Sequence, residues 1–318
     1  MIEFEAPISA WLDYRLIDCG DGEKLEQFGN RIIRRPEPKA RNKRKSWDEE
    51  EWDKLPHAHF KAGSGLGKPG VEDSGKWIIN NMPEENWVIE YQGEGEGLNF
   101  KLKLALTSYK HIGVFPEQAP NWEFIYAQTK RLVDKANKEG KPSPKILNLF
   151  AYTGAASLAA RAAGADVTHL DSLKQVVTWA RENMELSGMS DIRWVVEDAM
   201  KFVQREAKRG NTYQGIILDP PAYGHGPKGE KWLIDDYIFD MLTNVNRILD
   251  KEDGFMVLNL YFNGCNPLWV EHIVKEAFGH LEGQPKAKFY KHFDSAYLGL
   301  DDSHGKVLPM SVFLRLIR

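Results

Sequence analysis

Cysteine is nearly absent: Cys19 and Cys265 are the two found in 318 residues. A disulfide framework is thereby excluded, and a cysteine-based zinc site has too few ligands. Such cysteine usage is what a reducing cytoplasm leads one to expect. No apolar run approaches the ~20 residues that a membrane span requires. The opening MIEFEAPISAWLDYR has neither the basic start nor the apolar centre of a signal peptide. Strong net charge is missing too, since 42 Lys and Arg against 46 Asp and Glu give −4, with a pI of about 6.2. Nucleic acid would have to be met by a local patch, not by the whole surface.

What remains is a globular composition, 42% hydrophobic and 28% charged, long enough for one large or two medium domains. One charged patch stands out. Residues 31–45, RIIRRPEPKARNKRK, hold eight Lys or Arg against the single acid Glu37, and the acids Asp48-Glu49-Glu50-Glu51 follow. The run reads either as an arm that gains affinity by releasing phosphate counterions or as a solvated loop neutralised by the acids beside it. A second stretch, AGSGLGKP (62–69), nearly matches a phosphate-binding loop. Pro69 stands where that loop needs a hydroxyl and a helix start, so triphosphate binding is rejected there. His57 and His59 share one strand face without partner ligands in sequence, so a structural role is expected.

Residues 1–108 read as a small β-rich domain. Two strands are expected around Gly20-Asp21-Gly22 with LEQFG as a short element, and further strands at 77–79, 87–92 and 98–106. From about residue 121 the apolar period becomes helical. Asn121 is the expected N-cap of a helix ending at Gly140, and strands and helices then alternate. The strands are KILNLF, 166–170, 192–196, 215–218, 255–260, AKFYKHF and LPMSVFLRLIR. Helices are expected at 154–163, 173–187, 199–209, 235–249 and 267–278. The fold class this implies for 109–318 is α/β, a doubly wound and mostly parallel seven-stranded sheet with an antiparallel edge.

Within KILNLFAYTGAASLAARAAGADVTHLDS, a strand ends near Phe150, Gly154 lets a ligand approach the backbone, and Asp171 closes the next strand. An acid there can accept hydrogen bonds from ribose hydroxyls. A nicotinamide dinucleotide would need three glycines in G-x-G-x-x-G, whereas Tyr152 occupies a position that would have to be bare. Adenosine without a pyrophosphate suits the loop better, which points to S-adenosylmethionine. The candidate binding residues are Phe150, Tyr152, Thr153 and Gly154 in the loop, then Asp171, Ser172, Asp198 and Asp219 at the following strand ends. Asp198 could instead cap the helix after it. The fourth strand ends in DPPAYGHG, where Pro220-Pro221 stops the ladder and stiffens the turn. Asp219 and Tyr223 are thereby held at the carboxyl edge of the sheet. No metal site is expected.

With these motifs in view, residues from about 110 to 318 resemble class I S-adenosylmethionine-dependent methyltransferases. They are most similar to the ribosomal RNA large-subunit methyltransferase I/K group and its uncharacterised relatives. The resemblance rests on HIGVFPEQAPNWEFI (111–125), NLFAYTGAAS (148–157), HLDS (169–172), VEDA (196–199) and DPPAYGHG (219–226). DYRLIDCGDGEKLEQFGNRIIRRP also resembles a β-rich segment preceding the domain in those relatives. It implies that VFPEQ lies over the cofactor, with Phe115 and Gln118 among its contacts. Two departures stand. The N-terminus does not match the RNA-binding PUA domain of the cytosine-modifying members, and their catalytic cysteine aligns with Tyr261, four residues before Cys265.

Asp219 and the Pro220 carbonyl would accept hydrogen from a target nitrogen, and Tyr223 would stack on an extruded base. The expected activity is methylation of a base nitrogen in RNA, ribosomal RNA first. Methylation of protein or a small molecule, and RNA binding without catalysis, are the alternatives. RNA is the expected partner, a homodimer is left open, and no membrane partner is expected.

Overall fold

The computed structural model describes residues 4–8, 11–63, 74–82, 84, 86–262, 264–279 and 290–318. Most of the glycine-rich stretch resembling a phosphate loop lies outside them, as do residues 287–289 of AKFYKHF. The strand β1 (Phe4–Glu5) precedes a meander of β2 (Tyr14–Gly20), β3 (Glu23–Phe28) and β4 (Arg31–Pro36). Asp21 and Gly22 make the β2–β3 turn with φ of 51° and 82°, the positive values that a two-residue hairpin demands. A helix α1 (Glu49–Lys54) leads to β5 (Ala58–Ala62) and β6 (Gly75–Ile79), completing a five-stranded sheet in the order β2-β3-β4-β5-β6. LEQFG, expected between strands, is instead the body of β3. Its alternation is masked by Glu26, a fully buried carboxylate that Arg35 meets at 2.9 Å.

The basic run is not a free arm. Its first part is β4, where Arg34 is buried and pairs with Glu23 at 2.6 Å, Glu49 at 2.8 Å and Asp53 at 2.7 Å. Lys45 lies between Glu23 and Glu49, over the ring of Trp52. Within the acidic block, Glu49 is the partner of Arg34 and Lys45, while Asp48 caps α1 and Glu50 pairs with Lys54. Arg41 and Arg44 remain exposed.

A hairpin of β7 (Asn86–Gln92) and β8 (Asn99–Ala105) then leads to α2 (Ala119–Glu139). The N-cap of α2 is Gln118, and Pro120 occupies the first turn, where a missing N–H costs nothing. Asn121, expected as the cap, is inside the helix and buried. Gly140 ends it at φ 64°. The alternating region follows: β9 (Lys145–Leu149), α3 (Ala155–Ala162), β10 (Asp166–Asp171), α4 (Lys174–Leu186), β11 (Ile192–Val196), α5 (Ala199–Arg209) and β12 (Gly215–Leu218). Beyond it come the short hairpin β13 (Tyr223–His225) and β14 (Lys231–Leu233), α6 (Ile234–Ile248), β15 (Phe255–Leu260), α7 (Pro267–Gly279), β16 (His292–Asp301) and β17 (Val307–Ile317).

The main sheet runs β1-β16-β17-β15-β12-β9-β10-β11. It has one strand more than expected, because β1 pairs in parallel with β16. The antiparallel strand is β17, which lies inside the sheet between β15 and β16 and not at its rim. Strands β9, β12 and β15 are buried on both faces. Ile146 and Leu147 therefore enter different apolar clusters, one shared with α2 and α3 and the other with α5, α6 and α7. Strand order reverses at β9, between β10 and β12, and such a switch point opens a crevice at the carboxyl ends.

The smaller sheet shares the first cluster. Trp122 of α2 meets Trp11, Tyr91 and Phe100 edge-on, with ring centroids 5.8, 5.0 and 5.5 Å away. Each such pair adds ~0.5–1.5 kcal/mol beyond the area buried. The β7–β8 hairpin docks on α4, where Lys103 N–H donates to Asn183 Oδ1 at 2.8 Å and Trp179 Nε1 donates to the Lys103 carbonyl at 2.8 Å.

Candidate active site

Three left-handed residues follow β9: Phe150 at φ 56°, Tyr152 at 49° and Gly154 at 93°. For the two aromatic residues this conformation is unfavourable by roughly 1–3 kcal/mol each, and it persists only where the surroundings impose it. Here they do. Ala151 N–H donates to the Leu170 carbonyl at 3.0 Å, and Tyr152 N–H to Asp171 Oδ2 at 3.0 Å. The Thr153 hydroxyl donates to the Gly113 carbonyl at 2.6 Å, and Asn183 Nδ2 to the Thr153 carbonyl at 2.9 Å. A Cβ on Gly154 would come within 3.1 Å of Ala180 Cβ in a backbone region that only glycine visits freely.

The loop forms one wall of a cleft with about 540 Å³ of unfilled space, counted to its mouth. Of the residues singled out from sequence, Phe115, Gln118, Phe150, Tyr152, Thr153, Gly154 and Asp219 line it. Asp171, Ser172 and Asp198 are not among the lining residues. Asp171 ends β10, where its other oxygen accepts Leu173 N–H at 3.0 Å. Burial raises its pKa in spite of the backbone donors around it. Asp198 caps α5, accepting Lys201 N–H at 2.9 Å, so one of its oxygens is committed to the helix. Pro220 is buried at the turn. Tyr223 sits on β13 outside the lining, its hydroxyl 3.0 Å from His225 Nε2.

Asp219 is the polar centre of the cleft. Asn259 Nδ2 donates to its Oδ1 at 2.9 Å, while Gln118 Nε2 and the Tyr261 hydroxyl lie 3.4 and 3.5 Å from its Oδ2. Burial nevertheless dominates, pushing its pKa up to about 7, with nearby Glu117 adding in the same direction. Glu117 is itself buried with no hydrogen-bond partner on either oxygen, and burial pushes it toward the neutral acid. Tyr261, expected only as the replacement for a cysteine, also takes Gln118 Nε2 on its hydroxyl at 2.7 Å. Burial pushes the Cys265 thiol up to about 12, so it is no thiolate at neutral pH.

Asn148, Asn259 and Trp232 are not among the expected site residues, and Asn121 is expected only as a helix cap. The signal for two of them is an asparagine inside an apolar run, ILNLF and FMVLNL, where an unpaired amide would not be buried. Asn148 donates to Ser157 Oγ at 2.9 Å, and Ser157 Oγ is 3.0 Å from His169 Nδ1. Burial drives the pKa of His169 down to about 3. Trp232 donates to the Pro221 carbonyl at 2.7 Å and packs on Phe150, so β14 braces the proline turn. Among the described residues no cluster of His, Cys, Asp and Glu is placed to hold a metal, and no helix is long and apolar enough to cross a membrane.

The donor set fits S-adenosylmethionine. A cradle that a Cβ at Gly154 would crowd, aromatic walls at Phe115 and Tyr152, and an acidic strand end at Asp171 suit an adenosine. Among the described residues, no lysine or arginine lines the cleft as a pyrophosphate would require. Comparison with known proteins agrees. The family described as Conserved hypothetical protein 95 matches residues 134–231. The ribosomal RNA large subunit methyltransferase K/L of Shewanella frigidimarina is 32% identical over 164 residues, 50% of this chain and 21% of that protein. The chain thus spans about a fifth of the length of that relative. The crystal structure of a SAM-dependent methyltransferase from Agrobacterium tumefaciens is 33% identical, with a TM-score of 0.82 over 98% of this chain and 93% of that one. A candidate methyltransferase solved in complex with S-adenosylhomocysteine shares the fold at 17% identity and a TM-score of 0.67, over 97% of this chain and 76% of that one.

Proposed function

The chain belongs to the class I S-adenosylmethionine-dependent methyltransferases, and on that premise we propose that it methylates a base nitrogen in RNA, ribosomal RNA first. The observation that carries the choice of nitrogen is the Asp219 carboxyl, poised near pH 7 at the end of β12. A base with its pKa close to the working pH is the efficient acceptor for a proton leaving a nitrogen. Carbon methylation of a pyrimidine needs a thiolate nucleophile instead, and neither Cys19 nor Cys265 lines the cleft.

S-adenosylmethionine, when bound, supplies an electrophilic methyl group on a sulfonium. Gly154 and the loop Phe150–Thr153 would hold it along the wall, Asp171 and Ser172 would take its ribose hydroxyls, and Asp198 would use its uncapped oxygen for the adenine amino group. Phe115 and Gln118 would cover it. Asp219 and the Pro220 carbonyl would hold the target nitrogen by its hydrogen, which fixes the direction of the lone pair. Alignment of this kind is a large part of what a displacement requires. Tyr223, in reach of His225 on a short hairpin, would stack on the extruded base. The sheet β2–β6 would serve as the positioning face for RNA, with Arg41 and Arg44 toward phosphate. The K/L relative's name supplies the ribosomal assignment.

The test compares nucleosides from total RNA of cells with and without the protein by mass spectrometry. Purified protein and labelled cofactor are then applied to RNA that lacks the mark. Loss of one N-methylated nucleoside, restored by wild type and not by Asp219→Ala, supports the reading. Unchanged RNA with label entering protein or small molecules overturns it.

A further inference from the structure

Arg315 is a cation inside an apolar strand, flanked by Leu314 and Leu316, and only 7% of it is exposed. Its guanidinium lies over Phe313 and Phe124, 4.1 and 5.1 Å from the ring centroids. One end of the fork meets Glu5 of β1, with Nη1 donating to Oε1 at 3.0 Å and Nη2 at 2.8 Å from Oε2. At the other end, Nε donates to Asn121 Oδ1 at 3.0 Å. Asn121 Nδ2 donates onward to Gln118 Oε1 at 2.8 Å, and Gln118 Nε2 donates to the Tyr261 hydroxyl at 2.7 Å. The hydrogen of Tyr261 is then left to face Asp219 Oδ2.

A guanidinium carries only donors and keeps its proton, whereas a primary amide has a donor end and an acceptor end of nearly equal shape. Asn121 must turn its oxygen to Arg315, which leaves its NH₂ for Gln118. Gln118 must then turn its oxygen to Asn121, which leaves its NH₂ for Tyr261 and Asp219. We infer that Arg315 is a positioning residue that sets the hydrogen-bond polarity of the catalytic floor through Asn121 and Gln118, so that Asp219 meets donors and acts as an acceptor. With both amides reversed, Gln118 Oε1 would oppose the carboxylate and favour its protonated form. The arm on the other side of Asp219 carries no such instruction. It runs from Asn259 to the Ser311 hydroxyl at 2.8 Å, and a hydroxyl can donate or accept.

The inference rests on reading Asp219 as the proton acceptor, but its test needs no substrate and so fails independently of the RNA assignment. The titratable groups facing Asp219 are Glu117 and Tyr261, which burial drives toward their neutral forms, and the variants leave both in place. Carboxyl-¹³C NMR of the free protein, with Asp219→Asn identifying the resonance, gives the titration midpoint of Asp219. Arg315→Lys, still a donor-only cation, keeps the midpoint at the wild-type value. Arg315→Gln and Asn121→Leu raise it by about one unit, a tenfold change in the protonation equilibrium. An unmoved midpoint in folded Asn121→Leu overturns the inference, as does an equal shift in Arg315→Lys and Arg315→Gln. Should the Arg315 variants not fold, Asn121→Leu decides alone.

Discussion

Asp171 Oδ2 accepts the backbone N–H of Tyr152 at 3.0 Å, which ties the acid at the end of β10 to the left-handed loop after β9. One carboxylate thereby holds the shape of the loop, and under the proposed function its remaining lone pairs would take the ribose hydroxyls. Asp171→Ala should weaken S-adenosylhomocysteine binding by about 1.5–3 kcal/mol, the range for hydrogen bonds to charged groups. Calorimetry checks this, and unchanged affinity in a folded variant would remove Asp171 from the site.

Asp219 titrates near 7 because it is buried, well above its value in the unfolded chain. Between about pH 4 and pH 7 the native state keeps a proton that the unfolded chain has released, so stability falls as pH rises through that window. Asp219→Asn removes the dependence. Thermal scans at about pH 5 and about pH 8 should show a smaller loss of Tm across the interval in the variant than in wild type. Turnover by wild type should rise with pH and level off above about 7, where the acceptor is free.

With the Cys265 thiol pushed up to about 12, Cys265→Ala should retain near wild-type turnover. Asp219→Ala should abolish turnover while leaving cofactor affinity within a few-fold. An inactive Cys265→Ala beside an active Asp219→Ala would restore a carbon target.

The basic run divides into buried and exposed cations. Arg35→Met takes the guanidinium from buried Glu26, leaving it Lys24 at 3.3 Å and the Tyr14 hydroxyl, and should be destabilising by about 3 kcal/mol in urea unfolding. Changing Arg41, Lys43 and Arg44 to Ala should leave the unfolding midpoint alone and flatten the salt dependence of RNA binding by ~0.7 per lost contact. An identical slope in that triple variant assigns the run to structure alone.

The strand–helix alternation was legible because its apolar periods are long and its stops are glycine and proline, as at Gly140 and Pro220. The loop proposed for the cofactor was marked in the sequence by Gly154 and the acid at the next strand end. Three features were not. Glu26 disguised β3, since a buried carboxylate reads as surface until Arg35 is seen across the ladder. The two-residue β1 is too short for a period, and only its pairing with β16 gives it meaning. The amides around Asp219 come from α2 and β15, far apart in sequence, and hydrogen-bond partners at such separation leave no local pattern. Asn259 inside FMVLNL hinted at a buried partner without naming it.

The placement of β17 has a consequence for how the molecule is made. Strands β15 and β16 flank it and are not paired with each other, so the gap between them stays open until residues 307–317 leave the ribosome. Ser311 and Arg315, which brace Asn259 and Asn121, arrive in that same segment. The proposed catalytic floor is thus completed only once β17 has been made, and pairings of such long sequence separation form slowly. A nascent chain released before that strand would expose the apolar edges of β15 and β16, a ready template for aggregation.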